Sequence, residues 1–364
     1  FLIRLYCTDT DYLGSSYLWG EGEGEKRERK EKRRRKRKRG RRERGKGKRK
    51  KEERKREEGG ERRKERRGEF EGLAVGDAVV LGFSSCGHCA RCDDHLPSYC
   101  REFPPLNYAG MRLEDGSKAY SKDGEAISSH FFGQSSFAAH AIVRAGNVVK
   151  VEDTAAPLAI LGPLGCGFQT GAGGVMRSMA CHAGSSIVIV GGGPVGLAAV
   201  MGAKIRDCAT IILVEPLEKR RDLGLELGAT RVIDPMAGDV TAAIREIVAD
   251  GVDYAFDTSG RVEMMEAVLA ALTPRGMLGL VGVPGKADAA LTINIAGMIT
   301  YGQRVVGIME GDSDPQSFIL ELIAAHRDGK FPFDKLVRTF PLTDINAAID
   351  AQKRGDCVKV VLIP

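Results

Sequence analysis

Four cysteines stand in a short stretch, Cys86-Gly-His-Cys89-Ala-Arg-Cys92 and then Cys100 after seven more residues. Thiolates two residues apart on a tight loop can place three sulfurs about one ion, and the fourth returns to close a tetrahedron. A closed set of four thiolates leaves no open coordination position, so its chemistry is structural. The spacing fits zinc and also fits an iron–sulfur centre. His88 inside the loop reads as a surface residue, because the sulfurs already fill the site. A second constellation is Gly191-Gly-Gly-Pro-Val-Gly196, a G-x-G-x-x-G run. There Gly191 makes a tight turn, Gly193 lets the backbone approach a pyrophosphate, and Gly196 lets helix and strand pack closely. Nineteen residues on, Glu215 ends the next strand, where a carboxylate meets ribose hydroxyls. An acid there repels a 2′-phosphate and favours NAD over NADP, although Arg220 and Arg221 lie near it in the chain. Cys166 sits alone between glycines, and by itself reads as a small buried hydrophobe.

The elements that must position these residues follow from pattern. Ile187 to Val190 read as a fully buried parallel strand that enters the glycine run, and Pro194 opens a small-residue helix whose N-terminus offers free N–H groups to phosphate. A strand at 210–214, a helix at 217–227 stopped by Gly228, a strand at 231–233 and a helix at 239–249 come next. A strand at 252–256, a helix at 262–272 and a strand at 277–281 complete the alternation. This βα order predicts a doubly wound α/β sheet. Its ligand lies at the carboxyl ends of the strands, along Gly191 to Gly196, Glu215, Thr258 and Val281 to Val283. A Gly76-Asp77 turn leading into a buried strand that ends at Leu81, an alternating strand within the run 131–143 and a short strand at 147–150, with a polar loop from 107 to 129, are antiparallel in character and predict a different domain. The tail gives two helices and a last strand, 357–362, suited to pairing back with that first domain.

The charge of +6 over 364 residues arises from one segment. Residues 20 to 69 hold 28 Lys or Arg against 13 Glu, which leaves −9 for the rest. They use only Gly, Glu, Lys and Arg, amino acids whose codons can be written with purines alone, so the run reads as a translated purine tract. Without apolar residues it is expected to be disordered. Interleaved Glu and the lack of aromatics argue against a nucleic-acid arm. The start at Phe1 reads as that of a fragment. Nine cysteines, an odd number, with no secretory signal predict a reducing, cytoplasmic setting. No apolar run is long enough to span a membrane.

From about Leu73 to Pro364 the chain resembles the zinc-dependent, medium-chain alcohol dehydrogenases. It is most similar to their benzyl- and aryl-alcohol members through Phe131-Phe-Gly-Gln-Ser-Ser-Phe137, Glu310-Gly-Asp-Ser-Asp-Pro-Gln316 and Phe331-Pro-Phe-Asp-Lys-Leu336. The resemblance implies that the ion at Cys86, Cys89, Cys92 and Cys100 is zinc. It makes Cys166 a ligand of a second, catalytic zinc, sets Thr170 and Val195 against the nicotinamide, and puts Lys359 near the pyrophosphate. It further implies a GroES-like β domain at 70–167, completed by 306–364, around a Rossmann domain at 168–305, with 1–69 as a low-complexity segment. The activity implied is hydride transfer from a primary, in some members aromatic, alcohol to NAD, in a homo-oligomer. The family pattern also has a Cys followed shortly by Thr-Asp and a Gly-His-Glu motif ahead of the zinc lobe. Here Cys7-Thr8-Asp9 is a candidate remnant of the first, and no histidine precedes His88. The β domain is therefore expected to be incomplete. The alternative expectation is a protein that binds NAD and one zinc without turnover.

Overall fold

A computed structural model describes residues 2–4, 72–134, 137–152 and 156–364. The basic run 20–69 and Cys7-Thr8-Asp9 lie outside the described residues. All elements below belong to one compact unit, Phe1–Thr10 with Val75–Pro364.

The first part is built of short antiparallel pairs, as the alternating pattern predicts. Strand β1 (Leu2–Arg4) pairs with β5 (His140–Ile142), β2 (Val79–Leu81) with β6 (Val148–Lys150), and β3 (Tyr120–Lys122) with β4 (Glu125–Ile127). Between β2 and β3 run two short helices, α1 (Ala90–Asp93) and α2 (Phe103–Tyr108). Phe83, Phe103, Leu106 and Phe132 pack with Cys92 and Cys100 into one apolar cluster. Asn107, predicted to open a polar loop, is instead buried. Its Oδ1 accepts from Ser84 N at 2.8 Å, and its Nδ2 donates to Ser84 O at 2.9 Å and Phe103 O at 2.8 Å. Those bonds replace lost water and fix the lobe against β2.

The second part begins with α3 (Gly167–Gly173), which runs into a π-helical turn, and with β7 (Ser186–Val190). Then come α4 (Pro194–Ile205), β8 (Thr210–Val214), α5 (Glu218–Leu227), β9 (Arg231–Ile233), α6 (Val240–Ile247), β10 (Val252–Asp257) and α7 (Val262–Ala270). The series ends with β11 (Leu272–Leu280), α8 (Ile295–Tyr301) and β12 (Arg304–Gly307). The sheet is parallel in the order β12-β11-β10-β7-β8-β9, the doubly wound order with its switch point between β7 and β10. Along β7, Ile187 and Ile189 enter the cluster that includes Leu197 of α4, while Val188 and Val190 enter the cluster under α6 and α7. Helices cover both faces, which is why the strand is apolar throughout. Each such side chain contributes about 1.5–3 kcal/mol by burial.

The tail adds α9 (Pro315–Arg327), β13 (Val337–Pro341), α10 (Ile345–Lys353) and β14 (Lys359–Ile363). The last strand differs from expectation, for it pairs in parallel with β13 in a two-stranded sheet. The connection through α10 brings the two strands side by side, and both also contact the 158–165 segment of the first part.

Candidate active site and metal lobe

The cysteine lobe closes locally. Cys89 starts α1, Cys92 lies buried on it, and Cys100 follows a short 3₁₀ turn, so the chain wraps the sulfurs around one point. All four sulfurs lie within 4.8 Å of one another, with Cys86 Sγ 3.9 Å and Cys89 Sγ 3.7 Å from Cys92 Sγ. The N–H groups of Cys86 and Glu102 donate to Cys100 Sγ at 3.2 and 3.4 Å. Burial pushes the Cys86 and Cys92 thiols up, and neighbouring sulfurs add to it. Burial also acts on Cys89, but N–H groups of Arg101, Cys92 and Arg91 with the Cys92 side chain outweigh it and bring that thiol down to about 6. Four clustered soft donors with N–H bonds to sulfur fit a closed zinc site. His88 is exposed and its Nδ1 lies 2.7 Å from Cys86 O, so it meets the backbone of the loop.

The glycine loop links β7 to α4 at the switch point. Gly191 has φ +98, and a Cβ there would lie 2.6 Å from Thr258 Oγ1. At Gly196 a Cβ would lie 1.8 Å from Gly191 O, a contact that no side chain survives. Gly193, the N-cap of α4, faces open space, so the backbone is bare on the side where helix N–H groups emerge. Thr258 Oγ1 donates to Val190 O at 2.7 Å and ties the ends of β10 and β7 together. Glu215 is buried at the end of β8, where its Oε2 accepts from Gly192 N at 2.6 Å and its Oε1 from Leu217 N at 2.9 Å. The acid therefore holds the loop in place, and each oxygen keeps further lone pairs. Arg221 is turned to backbone, donating to Glu215 O and Pro216 O at 2.8 Å, with Asp234 at 3.3 Å. Asp257, at the end of β10, is wholly buried. Burial pushes its carboxyl up against the opposing bonds from Ser259 and Gly260.

Cys166 is the N-cap of α3, and the helix carries Thr170 one turn on. A Cβ on Gly167 would touch Pro194 Cβ and Val195 Cγ2 at 3.8 Å, so the start of α3, which carries Cys166 and Thr170, packs against the start of α4 at Val195. A residue the sequence reading did not single out joins them. Glu310, only 5% exposed, sets Oε1 3.7 Å from Cys166 Sγ, and its Oε2 lies 3.3 Å from both Gln169 Nε2 and Thr170 Oγ1. Its loop is strained, with φ of 52 at Glu310, 67 at Gly311 and 50 at Asp312. Non-glycine residues in this region cost about 1–3 kcal/mol each and persist where the surroundings fix them. Gly311 presses on α3, where a Cβ at Gly173 would meet Gly311 O at 2.6 Å. Tyr99, from the cysteine lobe, donates to Asp312 Oδ1 at 2.7 Å and to Gly307 O at 3.1 Å. The signal for Glu310 was present as an acid beside glycine in an otherwise apolar approach, but only folding brings it to Cys166. Lys359 opens β14 opposite Val337 and is buried.

A parallel sheet with a glycine loop at its switch point is thus joined to a four-thiolate lobe. Residues 194–325 match the zinc-binding dehydrogenase family. The geraniol dehydrogenase of Castellaniella defragrans is 42% identical over 292 residues, 80% of this chain and 78% of its own length. The structure of an alcohol dehydrogenase zinc-binding domain protein from Burkholderia ambifaria is 44% identical, with TM-score 0.77 over 81% of this chain and 79% of its own. The benzyl alcohol dehydrogenase of Acinetobacter calcoaceticus is 38% identical, with TM-score 0.75 over 80% and 78%. The chain belongs to the zinc-binding alcohol dehydrogenases.

Proposed function

We propose that this protein oxidises primary alcohols, aromatic ones included, with NAD as hydride acceptor. The observation that supports the reading is that α3, where Thr170 Oγ1 donates to Cys166 O, packs against the start of α4 at Val195, next to the bare backbone at Gly193. The N–H groups at the start of α4 receive the pyrophosphate, with Lys359 as its counter-charge. Glu215 orients the adenosine ribose through its remaining lone pairs and disfavours a 2′-phosphate. Thr258 fixes the loop, while Thr170 and Val195 shape the nicotinamide side. Among the described residues Cys86, Cys89, Cys92 and Cys100 fit a structural zinc, and Cys166 would supply one of the three or more protein ligands that a reacting zinc needs. Zinc at Cys166 supplies charge stabilisation at the alcohol oxygen, and NAD supplies the hydride acceptor. Similarity to a geraniol dehydrogenase and a benzyl alcohol dehydrogenase supports an allylic or benzylic alcohol as substrate.

The assembly proposed is a homo-oligomer. On α8, beside the edge strand β12, Ile295 and Ile299 are 72% and 76% exposed, an apolar face suited to a second copy. Among the described residues no helix is long and apolar enough to cross a membrane. The test is absorbance at 340 nm with NAD and benzyl alcohol. Alcohol-dependent NADH formation supports the reading, and its absence with NADH still bound supports the turnover-free alternative.

A further inference from the structure

We infer that Cys86, His88 and Glu102 form an outer divalent-cation site through which zinc enters and leaves the four-thiolate lobe. The inference rests on the reading of that lobe as a zinc centre and is independent of the alcohol reaction. Cys86 Sγ, a ring nitrogen of His88 and a carboxylate oxygen of Glu102 all lie within 4.8 Å of one another, a second set of metal-ligating atoms among the described residues. Sulfur, imidazole and carboxylate are each zinc donors, and three of them leave a fourth position to water. Ligand atoms about 2.0–2.3 Å from a tetrahedral ion stand about 3.3–3.8 Å apart, so binding draws the three together by about 1.5 Å at most. His88 and Glu102 are exposed, and rotation of their side chains supplies that movement.

The path of the chain builds this set. Gly87 has φ 71, a left-handed turn that doubles the backbone back, so His88 Nδ1 comes within 2.7 Å of Cys86 O. On the other side the N–H of Glu102 donates to Cys100 Sγ at 3.4 Å and holds its own backbone against the sulfurs. Access points the same way, for Cys92 and Cys100 are buried, Cys86 and Cys89 are partly exposed, and Cys86 alone belongs to both sets. A closed tetrahedron has no open position, so metal passes in or out only when a bond to a resident sulfur is exchanged for another donor. Zinc on its way out trades the inner sulfurs for His88, Glu102 and water while Cys86 keeps hold, and an incoming ion takes the same steps in reverse. The carboxylate and the thiolates together gather cations at this mouth. With one sulfur and a water, the outer set holds its ion more weakly than four thiolates do, so transfer runs inward.

The test uses the full chain carrying zinc in its lobe, dialysed free of weaker-bound metal and mixed with an excess of isotopically enriched Zn²⁺. The isotope ratio of the protein-bound zinc is followed after gel filtration, and total zinc is counted in the same samples. His88→Ala and Glu102→Gln are each expected to slow exchange about tenfold while total lobe zinc and melting temperature stay. Asp94→Asn removes another exposed carboxylate from the same lobe and is expected to leave the rate within twofold. Should the His88 variant lose its fold, Glu102→Gln, which keeps its backbone N–H on Cys100, carries the test alone. An unchanged rate in either folded variant, or equal slowing by Asp94→Asn, overturns the inference. A chain that holds no zinc at the four cysteines contradicts the reading of the lobe itself, whereas zinc held and exchanged at one rate in every variant contradicts the entry site alone.

Discussion

Two thiol centres among the described residues are built in opposite ways. The lobe draws Cys86, Cys89, Cys92 and Cys100 from fifteen consecutive residues, and local turns bring their sulfurs together. The centre at Cys166 joins a helix cap to a loop 144 residues away, and needs the sheet, α3 and the return of the chain to exist. A local metal site can stabilise its segment outright, whereas a long-range one depends on a fold already made. The lobe is accordingly proposed to be structural, and the proposed reaction is placed at Cys166.

The largest contrast is expected between cysteines. Cys92→Ser breaks the closed set, and structural zinc is worth on the order of 10 kcal/mol to small folds. It is expected to release one zinc per chain and lower the melting temperature by more than about 10 °C, measured by metal analysis and calorimetry. Cys166→Ser is expected to leave the lobe zinc in place and the melting temperature unchanged within a degree or two while removing alcohol-dependent NADH formation. Equal losses from the two substitutions break the division between structural and reacting centres.

A second contrast lies inside the glycine loop. Gly196→Ala drives a Cβ into Gly191 O and is expected to destabilise the sheet by more than about 3 kcal/mol, seen as a lower denaturant midpoint. Gly193→Ala meets no protein atom and is expected to leave stability intact, yet to weaken NADH binding at least tenfold by crowding the pyrophosphate. Intact NADH affinity in that variant places the cofactor elsewhere.

These contrasts follow the limits of what sequence reveals. The continuous apolar strand at 186–190, the glycine run and the cysteine spacing are short-range signals, and the fold and lobe were legible from them. Glu310 was quoted only as part of a resemblance, because nothing within its own segment shows that α3 lies across from it. The buried state of Asn107 was hidden likewise, since its partner Ser84 stands 23 residues away. That β14 pairs with β13 was not legible, because β-branched composition marks a strand without naming its neighbour.

Smaller effects sharpen the account. Glu215→Ala removes a charge beside the ribose position and is expected to narrow the preference for NADH over NADPH about tenfold by calorimetric titration. It also removes the bond to Gly192 N, so some loss of NADH affinity accompanies it. Tyr99 is pushed up to about 12 from 10.0 by burial and by the carboxylate of Asp312. Its folded value exceeds its unfolded one, so its contribution to stability is complete below pH 10 and fades as pH rises through about 12. Alkaline difference absorbance is expected to show a tyrosine titrating near 12 that Tyr99→Phe removes.

The most direct measurement compares the unmodified, zinc-supplied chain with Cys166→Ser, following NADH formation at 340 nm with benzyl alcohol and counting zinc in the same samples. An absorbance rise that disappears in the variant, while the lobe zinc survives dialysis in both, is the predicted result. Equal rates in the two proteins, or loss of the lobe zinc on changing Cys166, contradicts the assignment of structure to one thiol centre and reaction to the other.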